Sequence, residues 1–467
     1  MMGRGFTSSF FLGTLFYLLL GILAVAAVLI VGPDSKSYLV VGIATFGLFP
    51  FVRASLRRSE DLLAPSVLLP LTYALYALGP ISLLGNFSDQ AQTQYLFLQF
   101  WGLLALRVGI SAASKRSKVP ASNIAFPPLS RRWGMLLLLT AFGMLAGASV
   151  SVLTLIASLG SLGQYLEIGY GGDFYLSLRS GFVIGIGFQW WLLGTGLLIY
   201  YGIRRSTIAT AFGLVLSMLA VIVILKTGRR HEFLFPLIYS VVLINYGYKR
   251  IPSLLIATGV LLGIATMQYY ALARFFLAQG FLYSLFQTWP MVVKNPYLLL
   301  PWNTNEFKMP GASLIEVLEY GGPGLLYGAS YLTAVVSTIP FLGRLVSGSL
   351  FHPNNWRLET FYPEILAAGG GLGFSPVTEA FINFGYVGIF VHLFLYGYII
   401  GAIYNRLIRR PSVSRLLLYA GSLPIFMLHG MRVESASFIY LWVRYLVPWI
   451  VFGLLNVVTE SIRRRGE

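Results

Sequence analysis

Apolar runs alternate with short polar breaks along almost the whole chain. They lie near 10–32, 38–52, 62–84, 95–113, 133–158, 181–203, 206–225, 233–248, 251–270, 376–404, 414–431 and 436–458. Most approach the roughly 20 apolar residues that a helix needs to cross about 30 Å of hydrocarbon. The second is short, and the eleventh turns polar at its end. The pattern therefore predicts an all-α, polytopic helical membrane protein with about twelve transmembrane helices. In the first run, Ala24-Val25-Ala26 resembles a cleavage site, but the apolar sequence continues to Val31, which predicts an uncleaved span.

The breaks sort by charge. With the N-terminus placed inside, the cytoplasmic ends collect Arg4, Arg53, Arg57, Arg58, Lys115, Arg116, Lys118, Arg131, Arg132, Arg204, Arg205, Lys249, Arg250, Arg406, Arg409, Arg410, Arg415, Arg463, Arg464 and Arg465, which is 20 of the 33 Lys and Arg. This asymmetry predicts both termini in the cytoplasm. It also divides the chain into a first bundle over 1–270, a long outer segment over 271–375 and a second bundle over 376–467. The outer segment is rich in aromatics and punctuated by Pro and Gly. Its two uncharged stretches, Phe275–Val293 and Tyr320–Gly343, predict interfacial or re-entrant helices; a joint crossing by both would preserve the charge sort equally well.

Composition strengthens this picture. The chain is 57% hydrophobic and 10% charged, with mean hydropathy +0.76, too apolar for a soluble protein of 467 residues. The formal charge of +17 does not suggest nucleic acid, because the basic residues punctuate apolar spans instead of forming a polar stripe. There are no cysteines, hence no disulfides or thiolate metal sites. Four histidines without metal-ligand spacing predict no metal centre, and no Walker-type phosphate loop points to ATP.

The candidate chemistry lies on the outer face. Lys226-Thr227-Gly228-Arg229-Arg230-His231-Glu232 concentrates cations where few are expected. Arg229 and Arg230 suit bidentate binding of a pyrophosphate, although the same arginines would also serve an ordinary turn held by lipid headgroups. A second group, Gly369 to Glu379, leads a glycine-rich stretch into a helix start, with Ser375 as N-cap and Pro376 at the first helical position. Glu379 there either complements the helix dipole or acts as general base or hydroxyl positioner. A third, Met431-Arg432-Val433-Glu434-Ser435 after His429, offers Arg432 either for a structural pair with Glu434 or for a further pyrophosphate contact. The fourth is spread along the outer segment: Arg274 at the end of a long uncharged run, Trp302 and Asn303, and His352, Asn354 and Trp356. Aromatic faces beside amides suit sugars, and also suit a membrane interface. Arg107, Arg444 and His392 fall within spans; the arginines should face the bundle interior, and His392, among apolar and aromatic neighbours, reads as a packed core residue.

Gly373-Phe374-Ser375-Pro376-Val377-Thr378-Glu379, continuing through Asn383-Phe384-Gly385 to Gly388, resembles the late motif of the Wzy-type O-antigen polymerases. Thr227-Gly228-Arg229-Arg230 is similar to that family's basic turn, with Thr227 in place of Ser and a second arginine. The resemblance implies an inner-membrane glycosyltransferase acting on undecaprenyl-pyrophosphate-linked oligosaccharide repeats at the periplasmic face. It implies Arg229, Arg230, Arg274 and Arg432 on the pyrophosphate, Glu379, His352 or His231 as base, Trp302, Asn303, Asn354 and Trp356 on sugar, and no cofactor. A chain-length regulator in the same membrane is an expected partner. Ligase-like transfer to lipid A core, and a flippase for the same lipid, are the alternatives; the clustering of charge on one face argues against the flippase.

Overall fold

A computed structural model describes residues 35–56, 60–114, 129–159, 187–226, 233–273, 276, 280–339, 350–367, 371–446 and 450. Arg229, Arg230, His231, Arg274 and the run 10–32 lie outside them. Among the described residues the regular structure is helical, without strands. The first set comprises α1 (Ser35–Leu56), α2 (Pro65–Leu78), α3 (Asp89–Ser114), α4 (Arg131–Leu159), α5 (Gly187–Arg205), α6 (Thr207–Lys226), α7 (Leu234–Gly247) and α8 (Ser253–Ala273). The segment 271–375 contributes α9 (Phe281–Lys294), α10 (Asn305–Tyr320), α11 (Ala329–Thr338), α12 (Pro353–Phe361) and α13 (Pro363–Ala367). Then come α14 (Pro376–Arg409), α15 (Val413–Pro424) with a π turn over Ile425–His429, and α16 over 435–446.

Among the described residues, five helices are long and apolar enough to cross a membrane: Lys36–Leu56, Asp89–Ser114, Arg131–Val150, Ser253–Ala273 and Pro376–Arg409. Shorter apolar helices at Thr207–Ile222, Leu234–Gly247 and Val413–His429 stand beside them. At the centre, α3 and α14 pack backbone to backbone. A Cβ on Gly109 would stand 2.1 Å from the Phe394 carbonyl oxygen, and one on Gly397 would stand 2.2 Å from that of Leu106. Without a hydrophobic force between helices in lipid, such close approach is what holds them together.

The two ends of the bundle differ. At one, Asp61 Oδ2 accepts hydrogen bonds from Tyr246 and Tyr404, each at 2.5 Å, and Arg250 lies 3.4 Å from Oδ1. Arg53 pairs with Glu60 there at 2.6 Å. Basic ends that the charge sort assigned to one side thus meet in space. At the opposite end, Lys36 pairs with Asp89 at 2.5 Å and Ser88 donates to Glu319 at 2.6 Å, which brings the outer segment over the starts of α1 and α3.

Helix α9 is inside out. Its buried positions are Ser284, Thr288 and Val292, while Leu282, Phe286, Trp289 and Val293 are exposed at helical spacing. An apolar face turned outward over small polar residues turned inward suits lipid. With 14 residues it reaches only about 21 Å, short of a crossing. The 10-residue α11 is shorter still. Arg107 donates from Nη1 to the Phe46 carbonyl at 2.7 Å, and Arg444 lies 3.6 Å from the Tyr440 ring centroid, so both arginines have protein partners.

Candidate functional site

The late motif folds into a knot where three helices begin. Gly373, at φ +78°, makes the turn into α14, and a Cβ there would stand 2.9 Å from the Arg432 carbonyl oxygen. Phe374 is fully buried and donates its N–H to that same carbonyl at 2.9 Å. The Ser375 hydroxyl then accepts the Val377 N–H at 3.2 Å, the cap expected of Ser-Pro at a helix start. The chain breaks again at Phe384-Gly385, where φ of Gly385 is +61°. The carbonyls of Ile382 and Asn383 next to this break accept the N–H groups of Leu326 and Tyr327, and Asn383 Oδ1 accepts Gly328 N–H at 3.0 Å. The outer segment therefore joins α14 through main-chain polar groups, as buried backbone requires.

Glu379 sits inside this knot with 0% exposure. Ser330 donates its hydroxyl to Oε1 at 2.7 Å; Ser435 donates its N–H to Oε2 at 2.6 Å and its hydroxyl at 2.8 Å. Ser330 lies in the first turn of α11 and Ser435 opens α16, so the carboxylate satisfies donors at two helix starts while belonging to the first turn of a third. Helix N-termini favour negative charge, and charge-assisted hydrogen bonds are strong, so a buried carboxylate can be held here by dipoles and donors. Asn383 completes the knot, donating to Ser330 Oγ at 2.8 Å and to the Glu379 carbonyl at 2.7 Å.

A second polar layer lies above. Arg357, 1% exposed, holds Glu316 with two parallel bonds, Nε to Oε2 at 2.6 Å and Nη2 to Oε1 at 2.7 Å, and gives Nη1 to the Gly373 carbonyl at 2.8 Å. The Tyr362 hydroxyl donates to Glu316 at 2.8 Å; burial first, and then the Glu316 charge, push its pKa up to about 12. Arg432 Nη1 lies 2.8 Å from Glu306 Oε1 on α10.

Of the expected site residues, the structure brings Glu379 and the Arg432 turn together. His352 is the N-cap residue of α12, half-buried, and Trp356 packs edge-on against Phe361 at 5.8 Å between centroids. Asn354 is half-buried on the first turn of the same helix. Trp302 and Asn303 are exposed; the Trp302 carbonyl accepts from Ser82, and Asn303 donates to the Tyr297 carbonyl. They sit on α10's approach instead of beside Glu379. The partners Ser330, Ser435, Asn383 and Glu316 were missed as site residues, although Asn383 stood within the quoted motif and Ser435 at the end of the quoted Arg432 turn. His392 packs against the aromatic rings of Tyr331 and Tyr396, and its Nδ1 lies 2.9 Å from the Tyr331 hydroxyl.

The arginine patch is flanked by described chain. Helix α6 ends at Lys226 and α7 begins at Leu234. The Phe235 ring on that first turn lies 5.2 Å from His429 and 6.0 Å from Tyr445.

Residues 325–460 match the family model of the O-antigen polysaccharide polymerase Wzy. The match covers the late motif, the knot around Glu379 and the helices α11 to α16, and it supports a Wzy-type polymerase. The Wzy match over 325–460 and the apolar helices fit a membrane protein of polysaccharide and lipopolysaccharide biosynthesis. No curated protein and no solved structure matches the chain.

Proposed function

We propose that this protein polymerises lipid-linked oligosaccharide repeats at the periplasmic face of the inner membrane. The acceptor is the non-reducing sugar of a new repeat, and the donor is the growing glycan on undecaprenyl pyrophosphate. The acceptor hydroxyl oxygen attacks the anomeric carbon, the bond from that carbon to the diphosphate oxygen breaks, and the diphosphate leaves on its lipid. The acceptor proton passes to a base. Direct displacement of this kind inverts the anomeric centre and calls for no nucleotide or metal, because the donor is already activated.

The observation that carries this reading is the convergence of chain ends. The patch with Arg229 and Arg230 lies between α6 and α7, and α7 begins against the segment that carries His429 and Arg432. Arg274 follows the last residue of α8, whose Gln268 accepts the Thr304 hydroxyl two residues before Glu306. The start of α7 and the C-terminal part of α8, beside which those arginines fall in the sequence, thus contact the segments that carry Arg432 and Glu306. Cations and helix starts stabilise negative charge growing on a leaving diphosphate, often the largest catalytic effect.

Glu379 is read as a positioning residue. A base must come within hydrogen-bond reach of the acceptor, and Glu379 has no exposed surface and three donors of its own. His352 or His231 then takes the proton, and Trp302, Asn303, Asn354 and Trp356 offer sugar contacts. The test is incubation of purified protein with a defined undecaprenyl-pyrophosphate repeat, in the presence of chelator and without nucleotide. A ladder of products with inverted linkage is expected. Failure to extend the repeat while a chain-transfer product forms on lipid A core would replace polymerase by ligase.

A further inference from the structure

A cavity of about 400 Å³ opens along α14 and leads away from the knot. One wall is α14 itself, from Phe384 through Val391 and Leu395 to Ile399, and Phe438 and Trp442 of α16 stand opposite. At its upper end it reaches Pro376 and Ser435, the starts of α14 and α16. Fifteen residues separate Phe384 from Ile399, so the lined length is about 22 Å at a helical rise of about 1.5 Å. That is most of the roughly 30 Å hydrocarbon thickness, and α14 is long and apolar enough to cross it. Val391 and Leu395 are each 48% exposed, so the groove is open sideways, toward lipid.

The shape and lining select a class of ligand. A compact saccharide or headgroup needs several polar partners, and this groove offers few below its mouth. There the hydroxyl of Tyr331 and Nδ1 of His392 already engage each other at 2.9 Å. An extended apolar chain matches both the length and the surface. The aromatic walls add flat faces against which repeating double bonds can lie. Because the groove ends at the starts of α14 and α16, a chain lying in it would deliver a charged head beside the turn that carries Arg432.

We propose that this groove holds the polyisoprenoid chain of the lipid carrier, with the diphosphate at the Ser435 end. This rests on the polymerase reading above. In that arrangement Tyr331 and His392 tie α11 to α14 and so fix one side of the groove part-way along its length.

The test uses the full-length protein in nanodiscs and a polyprenyl pyrophosphate carrying a diazirine on its terminal isoprene. After irradiation, mass spectrometry should find the label on residues 391–399 and 438–442. Unlabelled polyprenyl pyrophosphate should compete, and phosphatidylglycerol should not. Leu395→Trp, which fills the groove, should cut labelling by about tenfold, as expected when several buried isoprene contacts are lost. In the same variant, the rise of kcat/KM with prenyl chain length should flatten. Label confined to other helices overturns the proposal, and so does equal competition by phosphatidylglycerol, which would make the groove an ordinary lipid seat. Polymer synthesis is read on the same preparation. Polymer with label elsewhere sinks the groove and spares the polymerase; label in the groove without polymer does the reverse.

Discussion

Replacing Glu379 separates a tie from a proton acceptor. The carboxylate holds Ser330 through Oε1 and both donors of Ser435 through Oε2. In Glu379→Gln the amide oxygen can face Ser435 and accept both bonds, while the amide N–H donates to the Ser330 hydroxyl. All three elements stay joined; the Ser330 O–H, whose oxygen already accepts from Asn383, loses its acceptor, and with the lost charge assistance the cost is about 1–2 kcal/mol. In Glu379→Ala the Ser435 N–H is left buried without its acceptor and a cavity opens. The cost is on the order of 3 kcal/mol or more. Thermal unfolding in detergent should therefore rank wild type above Gln and Gln above Ala. Polymer ladders from the purified proteins, followed from acid to neutral pH, supply the second readout. A positioning residue predicts that Gln keeps turnover to within about tenfold, whereas loss of a general base costs roughly a hundredfold to ten-thousandfold. A Gln variant with wild-type thermal stability, at least a hundredfold lower kcat and no acid limb in its pH profile would falsify the positioning role.

Arg357→Met should strand the Glu316 carboxylate in a buried site, costing about 3–5 kcal/mol, with the double variant Arg357→Met/Glu316→Leu recovering much of it in the same unfolding assay. Arg229→Ala or Arg230→Ala should abolish long-chain polysaccharide at unchanged protein level; wild-type ladders from both would remove the patch from the mechanism. Gly397→Leu should block the α3–α14 contact, because even its Cβ would stand 2.2 Å from a carbonyl. Little folded protein should then survive size-exclusion chromatography, while Gly143→Leu, at a glycine with open space around its Cβ position, should behave like wild type.

Hydropathy located the long helices well because a lipid-facing helix writes its apolar character into every turn. The expected 206–225 and 233–248 became α6 and α7 with ends shifted by one residue or so. Ser375 and Pro376 likewise declared a helix start by local chemistry alone. Helix α10 was not legible: Glu306, Lys308, Pro310, Glu316 and Glu319 lower its hydropathy, and it is held by contact with α2 instead of by lipid. The site was legible only in part. The motif around Glu379 pointed to the place, but Ser330 lies 49 residues away with nothing local to mark it, and Ser435, 56 residues away, was quoted only as the end of the Arg432 turn. Arg432 was offered both as a mate for its neighbour Glu434 and as a diphosphate contact; its ion pair with Glu306 comes from an element the hydropathy did not show.

The interlocked backbones of α3 and α14 bear on how a growing polymer passes through. Two helices whose carbonyls would strike a single added carbon cannot slide without first separating, so they form the fixed frame of the molecule. On the polymerase reading, a gap that admits one repeat and releases the next would open on the side of α14 away from α3, toward α11 and α16. Hydrogen exchange should then be slowest along the frame and faster in α11, with Ser330 and Asn383 acting as the latch.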